Sequence, residues 1–296
     1  MKHIRILSPS GAIDPKYIDG AMYKLRHWGY RVSEGRYTRG KCGRFAGTAE
    51  ERLTDLLDAW ADTSTDVILC ARGGYGLQQI VEQFDHQVQP IGQKLLVGFS
   101  DITVLHQWCA LRGMESLHGL MCKHLTELDE TGDVIRAWRA AIEGEQLSYK
   151  LPSHPLNREG RSSGRLIGGN LSVLYGLQGT PYSLSRIMDT MDQKPILFLE
   201  DIAEHHYHID RMMQNLRLSG VMARLGGLVV GQWTDMDDDE KMGCSIEQTV
   251  RHAADGYDYP IVFGMKAGHV DDNYPLLMNA KVEIEVGEIC KVEFAK

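Results

Sequence analysis

The stretch "DVILCARGGYGLQQIVEQF", residues 66–84, decides the fold. Its apolar run over 67–71 breaks on Arg72 and three glycines, and a helical pattern follows. An unbroken apolar run of this length, bounded by turn residues, reads as a strand buried on both faces. The same order recurs at once in "KLLVGFSDITVLHQWCALRG", residues 94–113. Strand, glycine-containing turn, helix, strand at this spacing implies βαβ units and a mainly parallel sheet with helices on both faces.

Working outward, "HIRILSP" supplies a first strand, and Asp14 followed by Pro15 supplies an N-cap and an N1 proline for a helix reaching about Trp28. Thr48 with Glu51 has capping-box spacing ahead of "RLTDLLDAW", and "MESLHG" reads as another short strand. The pattern changes near residue 145, where "GEQLSYKLPSHPLNREGRSSG" is rich in Pro, Ser and Gly and lacks helical period. Strands "PILFLED", "GGLVVGQW" and "PIVFGMKAG" follow, then the pair "KVEIEV" and "CKVEFA" around Gly287 and Glu288, a hairpin signal. Ser245 with Gln248 opens a further helix. The expected fold class is therefore α/β: a Rossmann-like N-terminal domain over residues 1–145, a linker over 146–164, and a smaller α+β or barrel-like domain over 165–296.

The 296 residues are 43% hydrophobic and 24% charged, an ordinary globular composition. A formal charge of -8, with no Lys/Arg-rich block, argues against nucleic acid or an acidic membrane surface as the partner. No stretch approaches the ~18 consecutive apolar residues of a membrane helix. The first residues read as a strand, not a secretory signal. The six cysteines are scattered without a CxxC pair, which fits thiols of a reducing compartment. The expected location is the cytoplasm.

Several stretches can carry chemistry. Gly73 and Gly74, at the exit of a buried strand, bring backbone N–H groups close to a ligand and suit an anion or an oxyanion. The spacing is neither a dinucleotide fingerprint nor a Walker loop. A tight structural turn explains the same glycines. Ser100 and Asp101 end the next strand. Either one caps the following helix, or the turn holds Ser100 out as a nucleophile; "GFSD" lacks the last glycine of the GxSxG elbow. In a parallel sheet both exits lie along one edge, where ligand sites gather.

A serine nucleophile needs a base, and the base an orienting acid. Of twelve histidines, His269 stands apart, at the end of "IVFGMKAGH" and ahead of the turn-rich "VDDNYP". Glu200 and Asp201 end a buried strand, where a carboxylate is costly unless paired; the residues alone do not choose between them. Asn170, in "IGGNLSVL", reads as a helix cap or as a polar hook for substrate. The "EHHYH" cluster, residues 204–208, lacks HExxH-type spacing and reads as structural or substrate-lining rather than metal-binding.

In order along the chain, "SPSG", "ARGGYG", "GFSDIT", "GGNLSVL", "LFLED", "YHIDRMMQNL" and "GHVDDNYPLLMNAKVEI" make the sequence resemble the LD-carboxypeptidase (muramoyltetrapeptide carboxypeptidase) family of serine peptidases. The resemblance spans nearly the whole chain. It implies a triad of Ser100 as nucleophile, Glu200 as acid and His269 as base, and so selects Glu200 over Asp201. It implies a site formed by both domains, the serine from the first and the acid and base from the second. It further implies an oxyanion hole for which the backbone N–H groups of Gly74 (or Gly73) and Asp101 are candidates. Gly73, Asn170 and Arg72 are candidate substrate-binding residues, Arg72 as counter-charge to the terminal carboxylate unless it is a structural strand-end residue. No metal or organic cofactor is implied. The implied substrate is the murein tetrapeptide, free or sugar-linked, cleaved at the bond to its terminal D-Ala; family members are commonly homodimers. The chain departs from the family where "EHHYHIDR" carries His206 in place of a usual proline, which touches fine specificity. Two alternatives stay open: a peptidyl-adenylate hydrolase of the antibiotic self-immunity branch, for which Trp233 is a weak aromatic platform, and a non-catalytic peptide-binding module.

Overall fold

The computed structural model describes residues 1–89, 94–237 and 239–295. The chain forms two compact units, Met1–Gly144 with Tyr274–Leu276, and Glu145–Asn273 with Leu277–Lys296.

The first unit alternates β1 (His3–Leu7), α1 (Pro15–His27), β2 (Arg31–Glu34), α2 (Ala49–Ala61), β3 (Val67–Cys70), α3 (Val81–Gln87), β4 (Leu95–Gly98), α4 (Thr103–Leu111), β5 (Ser116–His118), α5 (Cys122–Glu127) and α6 (Asp133–Glu143). Asp14 caps α1, accepting from Lys16 N–H at 3.1 Å, and Ile18, Ala21, Met22 and Leu25 form its buried stripe at i, i+3, i+4, i+7. Thr48 and Glu51 close the capping box of α2. Every residue of β3 is buried, as a strand covered on both faces requires. Strands β2, β1, β3, β4 and β5 pair in parallel, with Leu69 opposite Val97 and Val97 opposite Leu117. The exits of β3 and β4 are therefore neighbours. Under this sheet Trp60, Phe84 and Trp108 pack ring to ring, with centroids 4.8–5.8 Å apart.

The second unit holds β6 (Ser148–Pro152), β7 (Gly160–Asn170), α7 (Leu171–Gly176), α8 (Leu184–Met188), β8 (Ile196–Ile202), α9 (His206–Leu218), β9 (Gly227–Thr234), α10 (Ile246–Ala253) and β10 (Ile261–Val262), then β12 (Lys281–Val286) and β13 (Ile289–Phe294); β11 (Leu276–Met278), between β10 and β12 in the chain, belongs to the sheet of the first unit. Its seven-stranded sheet runs β10-β9-β8-β7-β12-β13-β6. Pairing is parallel from β7 to β10 and antiparallel from β7 to β6. The hairpin at Gly287 and Glu288 joins β12 to β13.

Residues 146–164, expected as a linker, carry β6 and the start of β7, paired with β13 and β12. At β6 only Leu147, Tyr149 and Leu151 alternate inward, beside two prolines and a serine, and the opening of β7 is polar and mostly exposed, so the pattern is too brief to stand out from a linker. With them, the second unit is an α+β arrangement on a mixed sheet, parallel on one side of β7 and antiparallel on the other. The other departure is β11, which lies beside β5 in the first unit's sheet. Among the described residues no helix is long and apolar enough to cross a membrane.

Candidate active site

In the first unit, β4 ends at Gly98 and the backbone turns at Ser100, whose φ of 66° is left-handed. That conformation costs a non-glycine residue about 1–3 kcal/mol and persists only where surrounding structure enforces it. Neither Ser100 nor Asp101 caps a helix: Phe99 and Ile102 occupy the N-cap positions, without side-chain cap bonds. The Ser100 hydroxyl is thus half-buried at a strained strand-to-helix turn, the alternative to a cap that the sequence left open. Gly73 lies against it. A Cβ on Gly73 would stand 2.8 Å from Ser100 Cβ, closer than real contacts allow, and 3.1 Å from its Oγ. Gly74, at φ 110°, turns the chain away. Among the described residues the N–H groups of Gly73 and Gly74 meet no acceptor, so both can serve an anion.

Asp101 points inward. Its Oδ2 accepts from Ser10 Oγ at 2.5 Å and from Leu77 N–H at 3.0 Å. Burial raises its pKa, against these bonds and the charge of Arg52. Arg52, on α2, is 1% exposed and donates to the carbonyls of Pro9 (3.0 Å) and Gly76 (2.9 Å) and to Gln79 Oε1 (2.8 Å). Nothing in its surroundings in sequence singles out Arg52. Arg72 is exposed and donates to the Ala12 carbonyl at 2.8 Å.

In the second unit, Glu200 sits fully buried near the end of β8, just inside a register shift between Leu199 and Asp201. Its Oε2 accepts from His269 Nδ1 at 2.8 Å. That bond assigns the Nδ1–H tautomer and leaves the lone pair on Nε2, the arrangement of a general base. Burial disfavours the imidazolium, but the Glu200 charge and hydrogen bond outweigh it, and the His269 pKa is raised. Room for the acid comes from glycines: a Cβ on Gly268 would stand 2.9 Å from Glu200 Oε2, and one on Gly231 3.1 Å from Glu200 Cβ. The His269 loop is tied to β9 by Met265 N–H to Val230 O (3.1 Å) and Gln232 N–H to Ala267 O (3.0 Å). Buried Asn273 accepts from Gly268 N–H at 2.9 Å and fixes the residue before the histidine. It lies in "VDDNYP", where its position in a turn-rich stretch gives no sign of this bond.

Asp201 faces the other way. It accepts from Asn170 Nδ2 and Ser172 N–H, each at 2.8 Å, at the N-terminus of α7. Burial and the neighbouring Glu200 charge push its pKa up to about 7. Asn170 is the N-cap of α7, accepting from Val173 N–H at 3.1 Å. The "EHHYH" histidines each have a separate partner: His205 with Asp237, His206 with Thr249, His208 with Glu204. Among the described residues no group of His, Cys, Asp and Glu is arranged to hold a metal ion. Trp233, at the end of β9, is half-buried.

The LD-carboxypeptidase N-terminal domain profile matches residues 4–119, and the LD-carboxypeptidase C-terminal domain profile residues 163–284. A probable murein peptide carboxypeptidase of Bacillus subtilis is 29% identical over 290 residues, covering 96% of this chain and 89% of its own. A murein tetrapeptide carboxypeptidase of Pseudomonas aeruginosa is 28% identical over 280 residues, covering 91% and 89%. The crystal structure of a muramoyltetrapeptide carboxypeptidase from Oxalobacter formigenes superimposes with a TM-score of 0.86 at 24% identity, covering 100% of this chain and 99% of that one. The microcin C7 self-immunity protein superimposes at 0.80 and 18%, covering 100% and 96%, and so shares the fold.

Proposed function

Because the chain belongs to the LD-carboxypeptidase family, we propose that it is a serine-type carboxypeptidase that removes the terminal D-Ala from murein tetrapeptides. The 2.8 Å bond from His269 Nδ1 to the fully buried Glu200 carries this reading, since it prepares an imidazole to act as base through Nε2. The strained Ser100 turn supports it from the other unit. His269 takes the Ser100 proton as the hydroxyl attacks the carbonyl of the LD-amide. Glu200 holds the tautomer and stabilises the imidazolium. The N–H groups of Gly74 (or Gly73) and Asp101 bind the oxyanion, each donor worth ~2.7–4 kcal/mol of barrier. His269 then protonates the leaving amine of D-Ala, and water resolves the acyl-enzyme. Arg72 offers the counter-charge for the terminal carboxylate. Cytoplasmic location and a homodimer belong to the same reading.

The test is incubation with L-Ala-γ-D-Glu-meso-diaminopimelyl-D-Ala, following D-Ala by mass spectrometry, with Ser100→Ala alongside. Release by the parent and none by the variant is the expected result. Release by both removes Ser100 as nucleophile. Release by neither, with turnover of a peptidyl-adenylate, moves the chain to the self-immunity branch; no turnover of either makes it a binding module.

A further inference from the structure

Beneath the Ser100 turn lies a pair of buried, oppositely charged side chains that the reaction itself does not use. Asp101 reaches from the serine turn to Ser10 and to Leu77, the residue just past the Gly73–Gly74 turn. Arg52 grips the same two segments one residue earlier, at Pro9 and Gly76, and extends to Gln79. The fit at Gly76 is close: a Cβ there would stand 2.7 Å from Arg52 Nη1. The Arg52 Cζ also lies over the Phe45 ring, 5.0 Å from its centre. Both residues are almost wholly buried, Arg52 at 1% and Asp101 at 3% exposed. Burying two opposite charges that feel each other without touching is costly and contributes little net stability against an apolar replacement, so stability alone is a weak reason for it. What it does achieve is geometric. It locks the turn that offers the N–H groups to the turn that offers the hydroxyl.

We propose that Arg52 and Asp101 are positioning residues, whose hydrogen bonds to Pro9, Gly76, Ser10 and Leu77 hold the Gly73–Gly74 N–H groups in register with Ser100. This rests on the reading of Ser100 as nucleophile. A displacement of about 1 Å at such a site costs on the order of 100-fold in rate.

The experiment compares Arg52→Met, Asp101→Asn and the double variant. Arg52→Met strands the Asp101 carboxylate, and Asp101→Asn strands the guanidinium, so each single variant has a lowered Tm. The double variant is neutral, and its Asn can still accept from Leu77 and Ser10, so its Tm returns toward the parent's. Positioning predicts that kcat for D-Ala release stays about 100-fold down in the double variant with KM unchanged, because the grip on Pro9 and Gly76 is gone. Hydrogen exchange of residues 72–77 stays fast in parallel. Recovery of kcat and of exchange protection together with Tm would overturn the proposal. Should the Met variants fail to fold, Arg52→Lys decides. It keeps the charge, but one ammonium cannot span both carbonyls and Gln79, so kcat falls about 10-fold at unchanged Tm; parental kcat would overturn the proposal. If the parent itself releases no D-Ala, the function reading falls, and the exchange of residues 72–77 in the same variants still decides the positioning claim.

Discussion

Gly73→Ala adds one methyl group at the most crowded point of the serine turn. Its Cβ would stand 2.8 Å from Ser100 Cβ, 3.0 Å from the Phe99 carbonyl and 3.1 Å from Ser100 Oγ. An optimal carbon–carbon contact is about 3.5 Å, so one turn has to retreat by roughly 0.7 Å. Two of the three obstacles are backbone or Cβ atoms, which cannot swing aside as the tip of a lysine can. Scaling a loss of about 100-fold per ångström of misplacement gives a kcat reduction between about 10- and 100-fold, or about 1.4–2.7 kcal/mol of barrier. Overpacking itself costs about 1–3 kcal/mol of stability, read as a fall in Tm of roughly 2–4 °C per kcal/mol. The assay is steady-state D-Ala release at a temperature well below the variant's Tm, with kcat and KM separated. With Ser100 as the proposed nucleophile, the perturbation lies at the reacting atoms and leaves Arg72 in place, so kcat falls and KM holds. A kcat within twofold of the parent would refute the claim that Gly73 is packed against the nucleophile. A rise in KM alone would instead place Gly73 in ground-state binding.

Glu200→Gln removes the charge and the charged hydrogen bond that raise His269 above 6.5 and leaves burial, opposed only by the weaker pull of Asp201, to lower it. The acid limb of kcat/KM therefore lies above pH 6.5 in the parent, where the base must lose its proton, and moves below it in the variant, with kcat down about 10⁴-fold. An unmoved limb would mean another group titrates. The same raised pKa makes the Glu200–His269 pair stabilising in full below about pH 6.5, the unfolded value, with that contribution lost as pH rises through the folded-state value; thermal melts across this range in parent and Glu200→Gln check it. Ser100→Gly abolishes D-Ala release while raising Tm by roughly 2–4 °C, since glycine relieves about 1 kcal/mol of left-handed strain; an unchanged or lower Tm would speak against strain at this turn. Asn170→Ala lowers stability by about 1 kcal/mol through loss of the α7 cap, and Asn170→Ser restores it with KM unchanged; a raised KM at parental Tm would make Asn170 a substrate contact.

Much of the fold and of the candidate site is written locally. Buried strands such as β3 and β8 are runs of apolar residues between turn signals, and helix starts at Asp14, Thr48 and Ser245 are read from a residue and its partner two or three positions on. Spacing of that kind survives into the structure because its hydrogen bonds close within one turn. The ordered motifs likewise put forward Ser100, Glu200 and His269, the triad we propose. The short β6 and the polar opening of β7 are not legible, because their alternation is brief and pairing with β13 and β12 supplies much of what holds them.

What only the tertiary structure decided depends on residues far apart in the chain. Ser100 could have been a cap or an exposed hydroxyl, and its backbone angle settles against the cap. Glu200 and Asp201 are adjacent and chemically alike; the strand sends successive side chains to opposite faces, one to His269 and the other to the start of α7. Arg52 looks in sequence like any arginine on an amphipathic helix, yet it closes the two turns from 24 and 43 residues away. The sequence by itself determined the helices, the turns and the buried apolar strands, since those preferences are local; β6 and the opening of β7 it did not. Which polar group faces which could be decided only by packing, because burial gives each unpaired donor or charge its cost.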